Sequence, residues 1–139
     1  MSFVPLIPTQ QAVLSGLYQL IFPEISDMNG VFGEKALWYG LSLGEQLIAF
    51  YTIGQVNENR IFVYNIGVNP VFRQKGYGHQ LMEHLIQMYG DKEIYLFVNK
   101  ENRVAIKLYK SFQFDKVNRE YVPPINQICM KREKRVKFH

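Results

Sequence analysis

The stretch from residue 60 to residue 114 constrains the fold more than any other part of the chain. Residues 61–68 are apolar on both faces for most of their length, the pattern of a central strand. Pro70 ends it. Arg73-Gln74-Lys75-Gly76-Tyr77-Gly78 follows and opens a helix over residues 76–89, with Leu81, Leu85 and Met88 on one face. Gly90-Asp91 stops that helix. Residues 93–98 read as a second buried strand and residues 102–112 as a second helix. A strand, a helix and a strand in this order force the two strands to lie parallel, because the helix carries the chain back to its starting end.

The flanking segments read as antiparallel. Residues 2–7 form a short strand ended by Pro8, and Thr9 can cap a helix over residues 10–20 with Val13, Leu14, Leu17 and Leu20 on one face. Residues 24–34 look like a loop, or a short helix and loop. Residues 35–43 and 46–55 read as strands around Gly44-Glu45, a two-residue hairpin turn with glycine first. Strands near residues 114–119 and 126–133, separated by Val122-Pro123-Pro124, close the chain. The expected fold is α+β: one domain over residues 1–139, with a mixed sheet of about seven strands flanked by about four helices.

Composition excludes several classes. At 47% hydrophobic and 20% charged the chain is globular, not disordered. Cys129 is the single cysteine, so no internal disulfide can form. No signal peptide and no membrane span are legible, and the expectation is a soluble cytoplasmic protein. The net charge of +4 is local: Lys131, Arg132, Lys134, Arg135 and Lys137 lie near the C-terminus with one acid, Glu133, and the rest balances at 11 basic and 11 acidic residues. These cations read as a solvated strand end or as a basic arm. Nucleic acid is not the expected partner, and no metal site is read: His79 and His84 are five apart, where a helical ligand pair needs four.

The loop at residues 73–78 has the chemistry of an anion site. The first amides of a helix lack internal partners and point outward, and the helix dipole adds positive potential there. Gly76 and Gly78 let the backbone come close to phosphate oxygens, while Arg73 and Lys75 add charge at the rim. A plain turn with glycines at a helix start is the competing reading. The common nucleotide loops do not fit, since no Gly-Lys-Ser/Thr end is present and Leu81 stands where a dinucleotide loop has its third glycine.

Val68, Pro70, Arg-x-x-Gly-x-Gly and an amphipathic helix resemble the central motif of the GNAT N-acetyltransferase superfamily. Asn102, Ala105, Leu108-Tyr109, Phe112 and Phe114 resemble its downstream signature. The resemblance covers nearly the whole chain. It implies an acetyl-CoA-dependent acyltransferase acting on a primary amine, a small molecule or a lysine side chain, by direct attack. It further implies that the backbone of Ile66 and Val68 bonds the pantetheine arm, with Gly67 allowing close approach. The amides of Gln74, Lys75, Gly76, Tyr77, Gly78 and His79 would hold the pyrophosphate, with Arg73 beginning the loop. The two parallel strands would splay at their C-terminal ends. Asn102 would bond the arm or cap the second helix, and Tyr109 would be the general acid. A homodimer stays open.

Three points qualify the resemblance. Tyr109 also falls on the apolar helical face of Ala105, Leu108 and Phe112, where an aromatic is ordinarily core. The strand before the loop carries no carboxylate, so no base is assigned; Glu24, Asp27 and Glu34 lie in the segment expected to roof the acceptor. This gap leaves a non-catalytic acyl-CoA-binding module as the alternative. Gln113 stands where the family has glycine, which costs about 1 kcal/mol if the backbone is left-handed there.

Overall fold

The computed structural model describes residues 2–6, Leu17, Ile21 and residues 36–135. Seven strands form one sheet: β1 (Ser2–Leu6), β2 (Leu37–Leu43), β3 (Gln46–Asn57), β4 (Arg60–Val68), β5 (Glu93–Asn99), β6 (Asp115–Val117) and β7 (Gln127–Arg132). Their spatial order is β1-β2-β3-β4-β5-β7-β6. Every neighbouring pair is antiparallel except β4 and β5. That parallel pair is the one the strand–helix–strand order demands. Two helices are described, α1 (Tyr77–Tyr89) and α2 (Arg103–Ser111), against about four expected. The helix expected over residues 10–20 and the segment 24–34 lie outside the described residues, apart from Leu17, which is helical and buried.

The β2–β3 turn shows why glycine comes first. Gly44 takes φ +61° while Glu45 keeps a negative φ, the combination of a two-residue turn whose twist matches its strands.

Alternation along the strands sorts the core into two layers. Leu41, Tyr51, Ile61, Val63, Ile94, Leu96, Val98 and Met130 face α1 and α2. Phe62, Tyr95 and Cys129 face the other way, packed with Phe97, Val117 and Tyr121. Helix α1 buries Leu81, Met82 and Leu85, while Met88 is exposed. Leu81 and Leu85 of the expected stripe thus face the core together with Met82, and only Met88 lies off that seam.

Two cations of the basic C-terminus, Lys131 and Arg132, are structural. Arg132 follows Met130 by two residues and so points under the helices. Its Nε donates to the Phe112 carbonyl at 3.0 Å and its guanidinium to the Gly90 carbonyl at 3.3 Å. A cation thus satisfies the C-terminal ends of both α1 and α2. Lys131 points to the opposite face and pairs with Glu93 at 2.9 Å and Glu133 at 3.1 Å. Cys129 is buried, and burial pushes its thiol pKa up, so it is core and not a nucleophile.

Candidate active site

The site forms where the sheet stops pairing. β4 and β5 are in parallel register from Arg60↔Glu93 to Val63↔Leu96 and no further, although β4 runs on to Val68 and β5 to Asn99. A β-bulge explains the break. Thr52 pairs with Asn65 and Ile53 with Val63, which leaves Tyr64 as an extra residue in β4. An extra residue bends the strand and raises its twist. It also restores Ile66 and Val68 to the helix-side layer, with Ile61 and Val63. A glycine diagonal to the bulge makes room for the Tyr64 ring: Gly54 pairs with Phe62, and a Cβ on it would lie 2.1 Å from the Tyr64 hydroxyl.

Backbone alternation then fixes which groups line the gap. The Asn69 amide bonds the Ile48 carbonyl of β3 at 2.8 Å. Residues 69 and 67 therefore turn toward β3, and Ile66 and Val68 turn their backbone groups toward the opened edge. Arg73 Nε donates to the Val68 carbonyl at 3.1 Å, which ties the loop to the strand end and leaves the Val68 amide and both Ile66 groups for a ligand. The space over Gly67 is taken by the Ile21 side chain, 2.5 Å from where a Cβ would stand. The close approach at Gly67 is thus an internal packing contact.

The loop itself is exposed. Asn69 accepts from the Val71 amide at 3.1 Å and starts a single 3-10 turn, Pro70–Phe72. Gln74 (φ 62°) and Gly76 (φ 86°) are both left-handed and flank Lys75. Gly76 is the N-cap of α1 and supplies no side-chain bond, and the Gln80 amide makes the bond to the Gly76 carbonyl at 3.2 Å. No acceptor among the described residues takes the amides of residues 74–79. A Cβ on Gly78 would make only an ordinary contact with the Leu108 side chain at 3.4 Å, so packing does not demand glycine there. The His79 ring lies against Phe112 and its Nε2 pairs with Glu83 at 2.8 Å.

Helix α2 supplies the other wall. The Asn102 side chain accepts from the Ala105 amide at 3.2 Å, so it is the N-cap, and its amide nitrogen stays available. Tyr109 is buried in the helix-side core, and burial raises its phenol pKa above the ordinary value, so it stays protonated at neutral pH. Its carbonyl accepts from the Phe114 amide at 3.1 Å, while Gln113 donates to the Lys110 carbonyl at 3.0 Å. With Phe114 against the Tyr109 ring at 6.0 Å, this is a Schellman cap, and Gln113 holds its left-handed position at φ 72°.

The opposite mouth of the gap is aromatic, a feature the sequence reading missed. Phe62 touches Tyr64, Phe97 and Tyr121 at ring distances of 5.9, 4.9 and 5.2 Å. Tyr64 is the bulge residue, Phe97 the first β5 residue past the last β4 pair, and Tyr121 comes from the β6–β7 loop. The alternation of Phe62, Tyr64, Tyr95 and Phe97 away from the helices was the available signal. Glu24, Asp27 and Glu34 lie outside the described residues. Among the described residues no helix is long and apolar enough to cross a membrane, and no His, Cys, Asp or Glu cluster could hold a metal.

Known proteins resemble this chain. The "[Ribosomal protein bS18]-alanine N-acetyltransferase" of Salmonella typhimurium is 35% identical over 96 residues, covering 66% of this chain and 64% of that protein. Its Escherichia coli counterpart is 34% identical over the same shares. The chain thus spans just under two thirds of the length of these curated relatives. Among solved structures, the ribosomal-protein-S18-alanine N-acetyltransferase from Escherichia coli superposes with a TM-score of 0.84 at 24% identity, covering 99% of this chain and 96% of that one. A GNAT family acetyltransferase from Elizabethkingia anophelis with acetyl-CoA bound gives 0.74 at 16% identity, with 95% and 97% covered. These likenesses establish the fold. The family model described as "Acetyltransferase (GNAT) family" matches residues 13–114, spanning the bulged strand, the loop, both helices and the Tyr109 cap, and the chain belongs to that family.

Proposed function

We propose that the protein transfers an acetyl group from acetyl-CoA to a primary amine. The observation that carries this reading is the end of β4–β5 pairing at Val63 and Leu96 beside the amides of residues 74–79, which no described residue accepts. The residues fit such a ligand. The amides of Gln74, Lys75, Gly76, Tyr77, Gly78 and His79 suit a diphosphate, with Arg73 bracing the loop. The Ile66 amide and carbonyl and the Val68 amide suit an extended amide-bearing arm, and Asn102 has a donor to spare.

Bound there, acetyl-CoA supplies an activated acyl group. The chain's own part is to orient and to hold protons. Helices α1 and α2 close one face of the gap, so an amine enters from the aromatic face. Tyr109 keeps its proton on Oη and offers it, or a hydrogen bond, to the leaving sulfur. Holding both partners in place supplies much of the rate.

The acceptor is most consistent with the α-amine of a peptide. The relatives are named for acetylating alanine, a residue with no side-chain nitrogen, so there the backbone amine reacts. An α-amine has a pKa of about 7.7–8.0, against about 10.4 for lysine. Freeing its lone pair at neutral pH therefore costs about 3–4 kcal/mol less. That is the acceptor a β4 without a carboxylate can serve. The test is thiol release from acetyl-CoA with peptides bearing a free α-amine, peptides bearing only a lysine amine, and polyamines. Turnover with the first class supports the reading. Preference for the other amines removes the α-amine assignment. Coenzyme A binding without amine-dependent thiol release favours the non-catalytic module, which the missing carboxylate also fits.

A further inference from the structure

The β6–β7 loop, residues 118–126, reaches the aromatic mouth through Tyr121, and the residue before it makes an ion pair. Glu120 Oε2 lies 2.6 Å from the Arg60 guanidinium. Arg60 is itself fixed: it pairs with Glu93 at 3.1 Å and its guanidinium lies over the Tyr95 ring at 4.7 Å. Glu120 takes φ 74°, a left-handed conformation that a non-glycine residue holds only when its surroundings compel it. Tyr121 then packs edge-on against Tyr95 at 4.9 Å and Phe62 at 5.2 Å. Beyond it, Val122 and Ile125 are 93% and 89% exposed around two prolines.

We propose that Glu120, gripped by Arg60, is a positioning residue for the acceptor: it sets Tyr121 at the mouth and presents the apolar tip of the loop to an incoming chain. The site so framed is aromatic and aliphatic, which selects a peptide with apolar residues after its amine over a free polyamine. The inference rests on the acyltransfer reading for its second half only.

The test uses the full chain and two variants. Glu120→Gln keeps the side-chain shape and the left-handed backbone but removes the charge. Glu120→Gly removes the side chain and relieves the backbone. Amide hydrogen exchange at Tyr121, whose N–H donates to the Arg119 carbonyl at 2.9 Å, should accelerate about threefold in both variants without any ligand. The acceptor KM should rise about five- to tenfold in both, with the acetyl-CoA KM unchanged. If exchange is unchanged, or if the glycine variant exchanges more slowly, backbone preference holds the loop and the clamp is refuted. If exchange accelerates while the acceptor KM stays put, the loop is no part of the acceptor site. A wild-type protein with no amine-dependent turnover would sink the functional reading and the acceptor role together, while the exchange data would still judge the clamp.

Discussion

The two ends of α1 are treated in opposite ways. At its C-terminus the Gly90 carbonyl takes two donors, the Arg132 guanidinium and the Arg135 amide at 2.9 Å, and Arg132 is buried to do so. At its N-terminus Gly76 offers no cap, and the amides stand exposed beside two left-handed residues. Both ends begin with the same problem, polar backbone groups without helical partners. One is solved internally at the expense of burying a cation. The other has no acceptor for these amides among the described residues. On the acyltransfer proposal, the difference separates stability from function within a single helix.

Breaking the open end should have the largest effect. Gly76→Asp puts a carboxylate among the free amides at a φ of 86°, and the coenzyme A dissociation constant in calorimetry should rise about 100-fold. Gly76→Asn, which tolerates the left-handed backbone without the charge, should cost far less. Tyr109→Phe sharpens the division between holding and chemistry: kcat should fall about 30-fold with coenzyme A affinity unchanged. Because burial raises the Tyr109 pKa, the wild-type pH–rate profile should show no loss from this phenol below pH ~10. Breaking the closed end is next. Arg132→Met orphans the Phe112 carbonyl and should cost about 2 kcal/mol, a fall in Tm of about 8 °C, with coenzyme A affinity of the folded protein intact. The smallest effect is a gain: Gln113→Gly relieves the left-handed cap at φ 72° and should stabilise the protein by about 1 kcal/mol in thermal melts.

Much of this was legible in the residues. The parallel pair followed from strand, helix and strand in sequence, and the left-handed cap at Gln113 followed from the family resemblance, which has glycine at that position. The uncapped helix start followed from its glycines. What was not legible depends on contacts between distant segments. The bulge at Tyr64 is a one-residue change of phase within a run that is apolar on both faces, so no alternation betrays it. Arg132 was counted with the charged tail, although its two-residue spacing from Met130 places it under the helices. Gly67 was read as space for a ligand, but the space belongs to Ile21, which is far away in sequence. The Arg60–Glu120 pair joins residues 60 apart, and neither carries a local signature.

An amide-resolved nuclear magnetic resonance titration of the full-length protein with coenzyme A tests the central claim most directly. Saturable shifts at the amides of Lys75, Gly76, Tyr77, Gly78 and His79, together with Ile66 and Val68, are the expected result. Saturation that leaves these amides unmoved, or no binding at all, would show that the open end of α1 is not a diphosphate site.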